Sequence, residues 1–403
     1  LKSKNATAII LILGGVSMIG PFTTDMYLPA FSAIAEGLNT GVPEVGYSLS
    51  TYFAGICIGQ LIHGPVIDRF GRRTPLLIFL SLYILMSLAC SLTPNIEGLI
   101  IFRFFQAFAA SCGMVVNRAI VRDVFPVEET ANVFSKLILV MGVAPIIAPM
   151  VGSYVVAALG WRSVFWTLAS IGIIVLIAVS FSLPESKGPD KTVSLRFMPV
   201  LKNYGRALSN PKFIPFVIAG AMNTGGLFAY ISGSSYVYMD LYQLSEHQFA
   251  WIFGGNAACF ILGSQVNRLF LRYRRSEHVI VPIVVFQLCC GLLLAFLVGE
   301  QWITLSVLVA LIAGYTFCLG MVGPNALALA MQPFTENIGV ASAAYGSVQM
   351  AAGAFASALV SGLADGTPFP MTMIMAVATS IGLMSLIYGI RNLKRETYVT
   401  AVK

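Results

Sequence analysis

Twelve separate segments of this chain are apolar for about twenty residues each, the length a helix needs to cross a bilayer. They fall at 7–35, 44–67, 75–94, 97–121, 130–158, 161–183, 212–239, 246–271, 279–299, 302–328, 338–363 and 371–391. Backbone groups in hydrocarbon must be satisfied within their own segment, so each reads as a transmembrane helix. The expected fold class is an all-α integral membrane protein. Composition agrees: 57% of residues are hydrophobic and 10% charged, against about 25% charged in a soluble domain. Apolar segments recur to the end of the chain, which a lone signal peptide does not explain.

The longest polar interruption runs from Pro184 to Pro211 and divides the spans six and six. The expected organisation is therefore an N-terminal bundle over 1–183, a linker over 184–211 and a C-terminal bundle over 212–403 with a short tail. Within the linker, Val200, Leu201, Tyr204 and Leu208 have the spacing of a short amphipathic helix. Its basic residues from Lys187 to Lys212 would meet anionic lipid.

A net charge of +7 could point to nucleic acid, but the distribution of the charges points to topology. An even number of spans leaves both termini on one side. With that side taken as cytoplasmic, every Lys and Arg except Arg103, Arg118 and Arg162 falls inside. Acids such as Glu36, Glu44, Glu97, Asp240, Glu246, Glu300 and Asp365 fall outside. This is the positive-inside pattern. The seven cysteines all lie in apolar spans, where they read as small packing residues. No P-loop, dinucleotide fingerprint or catalytic motif is found, so neither a cofactor, a metal nor an enzymatic reaction is expected.

Two stretches carry chemistry. The first is Ile19 to Pro29 in the first span, where Asp25 is the only charge between Ala8 and Ile34. An ionised, unpaired carboxylate at the middle of a bilayer costs roughly 2.5–3.5 kcal/mol even on lenient scales. It must find a cation or take up a proton, because low dielectric disfavours the charged form. Pro21 removes the helical partner of the Ser17 carbonyl, so a bend is expected there. The bland alternative puts Asp25 at a helix end, reaching interfacial water. The second stretch is the loop from Gly64 to Leu77, GPVIDRFGRRTPLL. Gly64 would let a helix approach closely, Gly71 would permit a tight reversal, and Asp68 could pair with a basic side chain. Part of this pattern repeats: Gly64, Asp68 and Arg69 keep the spacing of Gly263, Asn267 and Arg268, as a duplicated six-helix unit would.

The pattern Gly-x-x-x-Asp-Arg-x-Gly-Arg-Arg resembles the signature loop of the major facilitator superfamily. The stretches Asp25–Pro29, Arg103–Ala107, Val121–Val124, Ala144–Gly152 and Gly160–Phe165 are similar to the Bcr/CflA group of bacterial drug–proton antiporters. The resemblance implies the major facilitator fold: twelve transmembrane helices in two six-helix bundles, with alternating access around a central cavity. It implies that Asp25 is a proton site supported by Arg103, and that Gly142, Pro145, Pro149 and Gly152 form the exporter motif of the fifth span. Two positions depart from the family pattern, Ala107 after Gln106 and Ala144 before Pro145.

The residues themselves leave several roles open. Depth lets Asp25 and Arg103 meet; Arg103 could instead snorkel to headgroups. Arg118 lies about 22 Å further along the same helix, either facing substrate or anchoring at the interface. Arg122 is a plausible partner for Asp68, which with Gly64, Arg69, Gly71 and Arg72 would form a conformational gate. Tyr27, Gln106, Asn117, Arg118, Tyr230, Asn256, Asn325 and Gln349 are the candidates for a substrate cavity; most polar residues of this kind tie helices together. The expected function is proton-coupled export of small molecules such as bicyclomycin, phenicols or sulfonamides across the bacterial inner membrane. Export of an endogenous metabolite or siderophore, or proton-coupled uptake, are the alternatives. A monomer in the lipid bilayer, with protons and a small-molecule substrate as partners, is expected.

Overall fold

The computed structural model describes residues 3–191, 197–334 and 338–402. Among them the secondary structure is helical and no strand occurs. Among the described residues, twelve helices are long and apolar enough to cross a membrane. Those of the first half are α1 (Ser3–Asp25) with its short continuation α2 (Phe31–Gly37), α3 (Val42–Phe70), α4 (Arg73–Leu92), α5 (Ile96–Val124), α6 (Val127–Leu159) and α7 (Arg162–Ser182). Then come α8 (Phe197–Leu208), α9 (Ile214–Ser235), α10 (Glu246–Phe270), α11 (Ser276–Gly299), α12 (Leu305–Met331), α13 (Ile338–Gly362) and α14 (Phe369–Val402).

The first span is not the single helix expected. It runs through Pro21 without interruption and stops at Asp25. A 3-10 turn over Leu28–Ala30 follows, and α2 comes directly after it. Pro29 explains the position of the break. It has no N–H to give, and its ring disfavours the helical conformation in the residue before it. The local bonds accordingly shorten to a three-residue reach, with Ala30 N–H donating to the Tyr27 carbonyl at 3.1 Å. Pro145 and Pro149, by contrast, are carried inside α6.

The chain forms two compact units, Leu1–Arg196 with Leu244–Gly254, and Phe197–Gln243 with Gly255–Lys403. In the first, α3 and α5 are packed through glycine. A Cβ at Gly55 would overlap the Phe104 carbonyl oxygen, and one at Gly59 would stand 3.0 Å from that of Phe108. His63, two turns beyond Gly55 on the same stripe, donates from Nε2 to the Phe108 carbonyl at 2.8 Å. Gly64 has nothing within 4 Å of its Cβ position, which corrects the close approach expected there. It lies one residue round the helix from the Gly55–Gly59–His63 stripe and so faces away from α5. The second unit repeats the device between α10 and α12: Gly263 lies against the Phe317 carbonyl and Gly320 against that of Phe260.

The linker helix α8 does form. Ala207 is buried in the second unit, and Tyr204 and Leu208 pack on a cluster that includes Phe213, Phe216, Leu329 and Tyr345. The side chains of Val200 and Leu201, and residues 192–196, lie outside what is described.

Overfilling a packed interface costs about 1–3 kcal/mol. Gly55→Ala should therefore lower thermal stability by that amount in purified protein, whereas Gly64→Ala should stay within about 0.5 kcal/mol. Melting curves of the two variants side by side test the assignment.

Candidate functional site

The buried acid and the buried arginine sit in one neighbourhood of the first unit without touching. Asp25 is 4% exposed. Among the described residues its carboxylate makes no hydrogen bond and no ion pair. It ends α1, where the broken backbone turns away. A Cβ at Gly152 of α6 would overlap the Met26 carbonyl oxygen, so this glycine seats α6 directly on the break.

Arg103 of α5 is fully buried; it does not snorkel. One Nη donates to the Thr23 carbonyl at 3.2 Å and to Gln106 Oε1 at 2.8 Å. Its guanidinium carbon lies 4.3 Å from the ring centroids of both Tyr27 and Tyr52. Aromatic faces attract a cation most strongly where water is absent. The remaining nitrogens, Nε and the second Nη, are buried without a hydrogen-bond partner among the described residues. The cage is held from behind. Gln106 Nε2 donates to Ser87 Oγ at 2.7 Å, Ser87 donates to the Tyr83 carbonyl at 2.8 Å, and Tyr83 and Thr23 share a 2.7 Å hydroxyl bond. Tyr27 donates to Ser48, 2.7 Å away, whose own hydroxyl proton goes to the Val45 carbonyl. Arg103 is thus tied to the backbone two residues before Asp25, and the field of Asp25 reaches the same Tyr52. A direct Asp25–Arg103 ion pair, which depth allowed, is not present.

The candidates for a substrate cavity are mostly spoken for. Tyr27 and Gln106 belong to the cage. Asn117 donates to the Leu13 carbonyl at 3.0 Å and Ser17 at 2.7 Å, joining α5 to α1. In the second unit Asn256 donates to Tyr230 at 2.9 Å, and Asn325 to Asn267 at 2.6 Å. Gln349, half-buried, donates to the Gly220 carbonyl at 3.3 Å. Arg118 alone of the eight is exposed. The helix-to-helix bonds agree with the role such residues usually have.

At the other end of α3 the structure assembles a charged network around Arg72, in the loop before α4. Its Nε donates to Asp123 at 2.9 Å, and an Nη donates to Asp68 at 2.5 Å and to the Ile67 carbonyl at 2.9 Å. Burial works against the charge on Arg72, but the bonds to Asp123 and Asp68 outweigh it and hold the guanidinium above its ordinary pKa. The expected Asp68–Arg122 pair is replaced: Arg122 is exposed and makes no ion pair among the described residues. The reason is Glu185, at the start of the linker. It accepts from the Arg72 N–H at 2.6 Å and the Arg73 N–H at 3.2 Å. That carboxylate caps the N-terminus of α4, where unsatisfied donors and the helix dipole favour an anion, and it holds the backbone from which the Arg72 side chain reaches the two aspartates. Gly71, at φ 89°, completes the fit, since a Cβ would come 2.8 Å from Glu185 Oε2. Arg69 lies beside this network, reaching the Lys191 carbonyl at 3.4 Å. Glu185 escaped the sequence reading; its one signal was an acid placed directly after an apolar span, where the inside loops otherwise carry bases.

A buried titratable group beside a break in the first helix, on a twelve-span helical scaffold, defines a membrane transporter. The Major Facilitator Superfamily model matches residues 13–357, and the chain belongs to that superfamily. It is 35% identical over 385 residues to the MFS-type transporter YdgK of Bacillus subtilis, with 95% of each chain covered. It is 28% identical to the bicyclomycin resistance protein homolog of Haemophilus influenzae, over 98% of this chain and 99% of that one. It is 27% identical to the multidrug resistance protein MdtL of Escherichia coli, over 83% of each. Two of these relatives carry names for bicyclomycin and multidrug resistance, which agrees with the resemblance to the Bcr/CflA group. A D-xylose–proton symporter shares the fold, with a TM-score of 0.73 at 14% identity over 95% of this chain and 97% of that one. The protein is a multi-pass membrane transporter and not an enzyme.

If Arg72 is the hub, Arg72→Ala leaves two aspartates facing each other and should cost about 1–3 kcal/mol, the worth of hydrogen bonds to charged groups. Arg122→Ala, a surface change, should cost no more than about 0.5 kcal/mol. Thermal unfolding in detergent, read for both, distinguishes the hub from the bystander.

Proposed function

We propose that the protein exports drug-like small molecules in exchange for protons. The observation that carries this reading is Asp25: a buried carboxylate with no bonding partner among the described residues, two residues after the Thr23 carbonyl that an immobilised guanidinium holds. Nothing around it holds the ionised form by contact, so its proton occupancy responds to small changes nearby. A proton arriving from outside neutralises it. Substrate entering from the cytoplasm or inner leaflet favours the deprotonated form, by touching Asp25 or by disturbing the Arg103 cage. Cargo and proton then use one group in turn and move in opposite directions. A pH unit is worth about 1.4 kcal/mol per proton, and 100 mV adds about 2.3 kcal/mol per net charge moved. One proton thus sustains an outward gradient of a decade or more.

The names of the relatives support drugs as cargo, bicyclomycin among them; phenicols and sulfonamides fall within the same reading. The concentration of bases at the Arg72 end supports an orientation with that end in the cytoplasm of a bacterial inner-membrane protein. In this orientation the network of Arg72, Asp68 and Asp123, with Gly71 and Glu185, acts as the inner gate. Arg118, exposed on the same helix as Arg103, is the cavity residue that substrate meets.

Cells with and without the protein, loaded with labelled bicyclomycin, a phenicol or a sulfonamide, provide the test. Export should collapse with a protonophore. Asp25→Asn should reach the membrane in normal amount yet lose pH-driven export at least tenfold, while still exchanging labelled for unlabelled drug in vesicles. An amide variant that exports with the wild-type pH response would refute the role given to Asp25.

A further inference from the structure

The second unit holds a cavity of about 590 Å³ at the end opposite its basic Arg268–Arg275 loop. It lies where α9 finishes, α11 finishes and α14 begins. Tyr242, Gln301, Ile303, Asp365, Thr367 and Phe369 are among the residues that line it. Two aromatic residues and the exposed acid Asp365 therefore border one space. The remaining lining is aliphatic or glycine apart from Gln301 and Thr367.

The charge around this cavity has a single sign. The segments that meet here contribute Asp240, Glu300 and Asp365, and no Lys or Arg lies between Tyr236 and Leu244, Gly299 and Thr304, or Leu363 and Phe369. The fields of Asp240 and Asp365 both reach Tyr236. Asp365 is held in place by the loop itself: its Oδ1 accepts from the Thr367 N–H at 2.9 Å and the Thr367 hydroxyl at 2.7 Å. Its Oδ2 makes no hydrogen bond among the described residues. The backbone is shaped to the cavity as well. Gly366 and Gln301 both take positive φ, 86° and 58°. After α9 the helix widens into a π-helical stretch, Tyr236–Leu241, a distortion frequent at functional sites.

We propose that this cavity binds a small organic cation: a quaternary or primary ammonium seated between the faces of Tyr242 and Phe369, with Asp365 as counter-charge. Ring faces and a carboxylate are the groups that recognise ammonium ions. An anion would be repelled, and a neutral apolar guest would leave the carboxylate unused. The site lies wholly within the second unit and does not use Asp25, so it stands independently of the export mechanism. The ammonium can come from solution or from a lipid headgroup, since the cavity opens at the end of membrane-spanning helices.

Choline is the probe, with 3,3-dimethylbutan-1-ol as its uncharged isostere, measured by equilibrium dialysis on the full chain in nanodiscs of phosphatidylglycerol. Choline should be retained and the isostere should not, and added salt should weaken retention because the counter-charge is near solvent. Asp365→Asn keeps the Oδ1 acceptor that orders the loop while removing the charge, and should weaken choline at least tenfold. Asp365→Glu should restore part of the loss. Repeating the measurement in phosphatidylcholine nanodiscs identifies the source. Loss of free-choline binding there shows that headgroups occupy the cavity; unchanged binding shows a site for soluble cations. Equal retention of choline and its isostere, or an Asp365→Asn variant that binds like wild type, would overturn the proposal.

Discussion

Hydrocarbon offers a charged group no water, so every cation in this scaffold must be satisfied by the protein or stay near the surface. Arg103 is the test of that rule. It is solved with quadrupoles and neutral oxygens: two tyrosine faces, one carbonyl and one amide. A carboxylate clamp would have bound the cation more tightly, at the cost of locking the acid. By engaging the guanidinium elsewhere, through one Nη and two ring faces, the fold leaves Asp25 uncommitted. Four further buried residues of the first unit serve this end: Ser87, Tyr83, Thr23 and Ser48 form the brace that keeps Tyr27 and Gln106 in place.

The twelve spans were legible because hydropathy and length alone decide them. The places where the reading failed share one physical cause: they depend on which way a side chain faces after helices have packed. Gly64 and Gly59 look equally suited to a close crossing, and rotation about the helix axis gives the role to Gly59. Asp68 had three arginines within reach in sequence, and only a cap contributed by the distant Glu185 selects Arg72. Pro21 and Pro29 are both helix-breaking residues, yet the break falls at Pro29, where the chain also has to turn towards α2. Asp25 could be picked out as a lone acid, but that it would stand apart from Arg103 required knowing that Tyr27 and Tyr52 would claim the guanidinium first. The polar residues listed for a cavity proved harder still, since an Asn or Tyr facing a neighbouring helix has the same sequence signature as one facing open space.

The two units have diverged chemically while keeping the same packing device. Glycine-to-carbonyl crossings join the second and fourth spans of each. At the matching position, however, Asp68 of the first unit corresponds to Asn267 of the second, and the ionic hub around Arg72 gives way to an amide pair, Asn267 with Asn325. Amide pairs are indifferent to pH. At this pair of matching positions, therefore, the charge lies in the first unit and the second is neutral.

The seat of Gly152 on the Met26 carbonyl has a mechanical corollary. With no side chain between them, the sixth helix and the interrupted first helix bear on each other backbone to backbone, like a cam on its follower. Any tilt of the proline-bearing helix is delivered to the residue next to Asp25 without slack. The acid's surroundings are geared to that rotation, and a single added methyl group at position 152 would change the gear ratio before it changed any charge.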